Sequence, residues 1–127
     1  MSEVQGAKPR ILVADDDPEV LRIVKNVLEA EGFAAVAAND GKEAYKQLQG
    51  EEAFVAAIFD IQMPHIDGRE LVRYMQSERR LMRIPVIIMT TELVSRLSSD
   101  SFSAGALAFL PKPFTDLQLK TTLRMFV

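Results

Sequence analysis

The chain contains no cysteine. That absence excludes disulfide frameworks, thiolate nucleophiles and zinc–thiolate centres together. The one histidine, His65, cannot build a multi-histidine metal site and leaves no partner to spare for a catalytic triad. No apolar run approaches the ~18 residues of a membrane span, and the N-terminal MSEVQGAKPR lacks a signal-peptide core. The expectation is a cytoplasmic protein with no membrane partner. A glycine-rich phosphate loop is also missing, which removes the usual nucleotide cradle. Basic residues are scarce in the first half: residues 1–64 carry six Lys/Arg against twelve Asp/Glu, and residues 65–127 carry nine against six. This fits no polybasic arm, so no direct nucleic-acid partner is expected. The densest basic cluster, Arg79, Arg80 and Arg83, reads as a solvated loop.

What remains is 127 residues, 48% hydrophobic and 26% charged, the balance of one soluble globule. A chain of this size buries roughly two-thirds of its unfolded surface and needs no staple. The expectation is a single domain over residues 1–127, with its core at about 10–126 and no output domain.

Short apolar runs alternate with helical patterns. Ile11–Ala14 is unbroken by polar residues, as in a strand buried on both faces. It stops at Asp15, Asp16 and Asp17. Asp17 then reads as a helix N-cap and Pro18 as the first helical residue, where a missing N–H costs nothing. Val20, Leu21, Val24, Val27 and Leu28 repeat at helical spacing, and Gly32 supplies the stop. The same unit recurs. Phe33–Ala38 is a second strand, and Asn39-Asp40-Gly41 turns into a helix carrying Ala44, Tyr45 and Leu48. Phe54–Phe59 is a third strand, and Asp67-Gly68 opens a helix carrying Leu71, Val72 and Met75. Pro85–Met89 is a fourth, followed by a serine-rich helix over 92–104. Leu107–Leu110 is a fifth, and Thr115 caps a last helix. Five strands alternating with five helices predict an α/β, doubly wound domain with a five-stranded parallel sheet.

In such a sheet, ligands bind beyond the carboxyl ends of the strands. Asp15 and Asp16 follow the first strand, Asp60 the third, Thr90 the fourth, and Lys112 comes just after the fifth. Taken singly, each has a plain reading: Asp15 and Asp16 as turn residues, Asp60 as a turn, Thr90 as a strand end, Lys112 as a solvated charge. Together they bring three carboxylates, a hydroxyl and an ammonium to one edge. Carboxylates so placed repel unless a cation intervenes, and a hard ion such as Mg²⁺ suits oxygen ligands. An ionised Asp60 can then act as a nucleophile toward phosphorus.

ILVADDDP, DIQMPHIDG, PVIIMTT and FLPKPF, in this order and at compatible spacing, make the chain resemble a response-regulator receiver domain of two-component signalling. The likeness runs from about Arg10 to Phe126. The resemblance implies a flavodoxin-like fold of strand order 2-1-3-4-5 and a phosphoacceptor at Asp60, fed by a sensor histidine kinase or a phosphotransfer protein. It implies Mg²⁺ held directly by Asp16 and Asp60, through water by Asp15, and by the backbone carbonyl of Gln62. Lys112 pairs with the phosphoryl group, and its bond to Pro113 is cis. Thr90 and Phe109 form a switch that alters the surface of residues 91–114 for a downstream protein target, with a homodimer through the last two helices and fifth strand also allowed. The implied protein is a switch with self-catalysed phosphorylation and dephosphorylation, not a conventional enzyme.

Some residues depart from the family's pattern. Phe109 is an aromatic without a hydroxyl, and Thr91 replaces a smaller residue and narrows access. Gln62 and Glu92 flank the reactive edge. His65 occupies a loop where an unusual backbone conformation or a proton-transfer role are both open readings. Two competing functions are a phosphatase resembling the haloacid dehalogenase superfamily, with Asp15 in its Asp-x-Asp pattern but Glu19 where Thr or Val is expected, and an inert pseudo-receiver.

Overall fold

A computed structural model of the chain describes residues 8–91 and 105–127. Nine elements lie in these segments: β1 Arg10–Ala14, α1 Pro18–Ala30, β2 Ala34–Ala38, α2 Gly41–Gln49, β3 Ala56–Asp60, α3 Gly68–Ser77, β4 Val86–Thr90, β5 Ala108–Pro111 and α4 Asp116–Phe126. All strand pairs are parallel, in the order β2-β1-β3-β4-β5. This is the doubly wound order that the resemblance implies. The described residues contain four helices; the further helix expected over 92–104 lies outside them.

The strand side chains alternate between two apolar layers. Leu12, Ala57, Phe59, Val86 and Ile88 pack with Leu48, Leu71, Val72 and Met75, so α2 and α3 cover one face. Ile11, Val13, Ile58, Ile87, Met89 and Leu110 pack with Val24, Leu28, Leu119 and Leu123, so α1 and α4 cover the other. Period-2 strands feeding helices on both sides explain why the central runs hold no polar residue before their ends. Tyr45 of α2 meets Tyr74 of α3 edge to face, with ring centroids 4.7 Å apart.

Helix ends follow the sequence signals. Asp17 caps α1 through the Glu19 amide, with Pro18 in the first turn. Gly32, at φ 92°, closes α1: its amide bonds the Glu29 carbonyl and the Phe33 amide bonds the Leu28 carbonyl. Asp67 with Glu70, and Thr115 with Gln118, form reciprocal capping boxes on α3 and α4.

Strand limits differ from the expectation in a consistent way. Phe33, Phe54, Pro85 and Leu107 precede their strands, whereas Asp60, Thr90 and Pro111 belong to them. The ladder continues through Asp60↔Met89 and Thr90↔Pro111 after the apolar run has stopped. Asp60 and Thr90 therefore sit on hydrogen-bonded strand ends, while Asp15, Asp16 and Lys112 directly follow theirs. A second correction concerns the arginine cluster. Arg80 is not merely solvated: its guanidinium donates to the Leu48 carbonyl (2.7 Å) and the Gly50 carbonyl (3.1 Å) at the end of α2.

Candidate functional site

Three carboxylates converge where β1 and β3 end. Ligand oxygens of Asp15, Asp16 and Asp60 all lie within 4.8 Å of one another. Asp15 is fully buried and Asp60 nearly so, while Asp16 is exposed. Adjacent parallel strands β1 and β3 bring these groups together although they are far apart in sequence.

The turn after the last strand supplies the counter-charge. Lys112 Nζ lies 2.6 Å from Asp15 Oδ2 and 3.5 Å from Asp60 Oδ2, and its side chain is 13% exposed. The Lys112 amide donates to the Thr90 carbonyl at 2.7 Å, and the Lys112–Pro113 bond is cis. Asp15 Oδ1 accepts from the Asp17 amide at 2.9 Å. Asp15 thus fills the turn role and the charged-site role at once. With both its oxygens engaged at zero exposure, it is poorly placed to act as the nucleophile of the phosphatase alternative.

One ammonium among three carboxylates leaves the pocket short of positive charge. Burial, and then the neighbouring Asp15, push the Asp60 carboxyl up to about 6, with Lys112 opposing the rise. The donor set is all oxygen and net anionic, which fits a hard divalent cation such as Mg²⁺ and gives a soft metal no thiolate or imidazole. Beside it opens a cleft of ≈ 470 Å³ lined by Asp16, Ile61, Gln62, Met63, Pro64, Asp67 and Arg69. A group larger than an ion can therefore reach Asp16 and the loop after Asp60 from solvent.

Thr90 is 2% exposed at the end of β4. Strand alternation puts it on the face of Val86 and Ile88, and Phe109 packs half-buried against that same layer. The two switch candidates share one side of the sheet. Thr91 is exposed and lines a separate apolar cleft of ≈ 270 Å³ with Val20, Ile23, Lys112, Pro113 and Phe114. It flanks the site at Lys112. Gln62 is exposed on the rim; Glu92 lies outside the described residues.

His65 has φ 74°. The Ile66 amide donates to the Pro64 carbonyl at 2.9 Å, so His65 is the central residue of a γ-turn with positive φ. The backbone reading of this histidine holds. Its Nε2 is 3.9 Å from Asp40 Oδ2 in the neighbouring loop, a contact the sequence did not suggest.

The family model for the response regulator receiver domain matches residues 11–124. The chain belongs to that family. It is 34% identical over 117 residues to chemotaxis protein CheY1 of Helicobacter pylori, covering 91% of this chain and 94% of that one. It is 33% identical over 114 residues to the sensor protein GacS of Pseudomonas syringae, covering 87% of this chain but only 12% of GacS. The solved chemotaxis response regulator CheY4 of Vibrio cholerae superposes with a TM-score of 0.88 at 28% identity, covering 94% of this chain and 99% of that one. Receiver domains of two-component systems occur both alone and within larger sensor proteins, as these relatives illustrate. Such domains are signalling switches and not conventional enzymes. No described helix is long and apolar enough to cross a membrane.

Proposed function

We propose that this receiver takes a phosphoryl group on Asp60 from a phosphohistidine, in a reaction that requires Mg²⁺. The observation that carries the reading is the position of Lys112 Nζ between Asp15 Oδ2 and Asp60 Oδ2, in a pocket where three carboxylates face one another. An Asp60 oxygen attacks phosphorus in line with the departing imidazole. A P–O bond forms, the P–N bond breaks with its electron pair returning to nitrogen, and the ring, protonated on its other nitrogen, leaves as neutral imidazole.

Asp15, Asp16, Asp60 and the Gln62 backbone carbonyl would hold the cation. When bound, Mg²⁺ supplies charge neutralisation for the phosphoryl oxygens and for the crowded carboxylates. The protein's own groups do the rest. Lys112, already held within 3.5 Å of Asp60, is placed to pair with a phosphoryl oxygen once Asp60 is modified. Thr90 supplies a hydroxyl on the adjacent strand end. Strand-end backbone hydrogen bonds, among them Ile61 amide to Met89 carbonyl, fix Asp60 before the donor arrives. This pre-organisation is what a phosphoryl acceptor needs, since little other covalent chemistry falls to the protein.

Output follows from the Thr90–Phe109 side of the sheet. Drawing Thr90 toward the phosphoryl group opens space on the layer where Phe109 packs, and Phe109 turning inward alters the surface of residues 91–114. A downstream protein target reads that surface, and the donor is a sensor histidine kinase or a phosphotransfer protein. A homodimer through the last two helices and β5 is a further arrangement within this reading. Self-catalysed dephosphorylation returns the switch.

Incubation with phosphoramidate or acetyl phosphate and Mg²⁺, read by intact mass, tests the reading. One phosphoryl is gained, the gain is lost with EDTA, and Asp60→Asn abolishes it. A gain that survives Asp60→Asn, or no gain at all, overturns it.

A further inference from the structure

The loop that carries the Gln62 carbonyl is gripped at a point remote from the pocket. An ideal Cβ built on Gly41 would lie 1.7 Å from the Ile66 carbonyl oxygen and 2.8 Å from Ile66 Cβ. The clash is with backbone, so no side-chain rotation relieves it. Gly41 is the first residue of α2, where alanine would otherwise be the better helix former. Its lack of a side chain therefore serves the neighbour and not the helix.

Ile66 is the exit residue of the γ-turn at His65, a backbone shape that persists only where its surroundings enforce it. On one side the enforcement is this contact with Gly41, flanked by the 3.9 Å approach of His65 Nε2 to Asp40 Oδ2. On the other, the Gly68 amide bonds the Ile61 carbonyl, and a Cβ on Gly68 would lie 2.5 Å from the Asp60 carbonyl oxygen. The segment from Ile61 to Asp67 is thus fixed between α2's first residue and the backbone of Asp60 itself. Pushing Ile66 away from α2 moves the loop that presents the Gln62 carbonyl and lines the cleft beside Asp16.

We infer that the Asp40–Gly41 corner is a positioning element for the Mg²⁺ site, acting through Ile66 on the Asp60 loop. The inference rests on the phosphoacceptor reading above and extends it to a helix that contributes no ligand. Linkage makes the effect reciprocal: if the corner positions the loop for the metal, the metal must in turn steady the corner.

Both directions are measurable with Mg²⁺ alone as the probe. Calorimetric titration is expected to give Gly41→Ala an affinity about tenfold weaker than wild type, the scale at which outer supports act on metal sites. Gly50→Ala, at the opposite end of α2, where an added Cβ meets only the Gln47 carbonyl oxygen at 3.3 Å, is expected to bind as wild type does. In the unmutated protein, Mg²⁺ is expected to slow amide exchange at Glu43 and Ala44, whose N–H groups bond to Asp40, and to leave Gly50 unchanged. That arm needs no variant to fold. Wild-type binding with unaltered exchange at Glu43 and Ala44, or a folded Gly41→Ala that binds equally well, overturns the inference alone. A wild type that binds no Mg²⁺ overturns the phosphoacceptor reading and this inference together.

Discussion

Lys112 Nζ and Asp15 Oδ2 meet at 2.6 Å across 97 positions of sequence. The contact joins the turn after β5 to the end of β1, two strands that do not pair with each other. Asp15 has a side-chain exposure of 1%. A charge so buried is tolerable only when matched, so this pair is structural as well as chemical.

Lys112→Met is therefore expected to cost stability and not only reactivity. Removing one partner of a buried pair leaves an uncompensated charge, at about 3–5 kcal/mol. Urea unfolding at neutral pH without Mg²⁺ measures it. The double variant Asp15→Asn with Lys112→Met is expected to lose less than the two single losses combined, because the orphaned charge is gone. Full additivity would mean that the two side chains do not act on each other.

Arg80→Ala is expected to destabilise by about 1 kcal/mol through the loss of hydrogen bonds to the end of α2. Arg79 and Arg83 are exposed, and their alanine variants are expected to fall within about 0.5 kcal/mol of wild type. Denaturant midpoints of the three variants separate a bonded arginine from its solvated neighbours. Equal midpoints would remove Arg80's special role.

Much of this architecture is legible in the sequence because each strand buried on both faces is a short apolar run, and each helix announces its cap. Asp17, Asp67 and Thr115 carry that signal within a few residues. Strand ends are less legible: Asp60 and Thr90 break the apolar run while their backbones remain in the ladder. The convergence of Asp15, Asp16, Asp60 and Lys112 follows from parallel strand order. That Lys112 bonds Asp15 more closely than Asp60 does not, since it depends on side-chain reach across the β3 strand end. Arg80 escaped because nothing local distinguishes it from Arg79 and Arg83. Gly41 reads as a turn residue in sequence, and only the approach of Ile66 from another loop gives it a second role.

Gly32 isolates a backbone cost from any packing cost. An added Cβ there has no heavy-atom neighbour within 4 Å, yet φ is 92°. Gly32→Ala is expected to destabilise by about 1–2 kcal/mol, entirely through the left-handed conformation. Gly32→Asn should lose less, because asparagine enters that region more readily. Thermal unfolding of the pair checks this, and equal losses would mean that side-chain contacts, not φ, set the cost.

Asp60 links stability, pH and metal in one residue. Its carboxyl lies at about 6 in the folded protein against an ordinary 3.8, so between those values the native state holds a proton that the unfolded chain has released. Stability contributed by this group is fully present below pH ~4 and is lost as pH rises through ~6. A rise of this size corresponds to about 3 kcal/mol, before solvent screening is allowed for. Asp60→Asn is therefore expected to be more stable than wild type at pH 7.5 without Mg²⁺, with the advantage shrinking toward pH 4. Saturating Mg²⁺ should remove much of the penalty in wild type and do less for the variant, because the cation offsets the repulsion that raises the carboxyl. The same logic makes wild-type phosphorylation at low Mg²⁺ rise with pH through ~6, as the nucleophilic carboxylate forms. Chemical denaturation of both proteins across this range, with and without Mg²⁺, checks the sign; a wild type that outlasts Asp60→Asn at pH 7.5 in EDTA would show that Lys112 outweighs burial at this carboxylate.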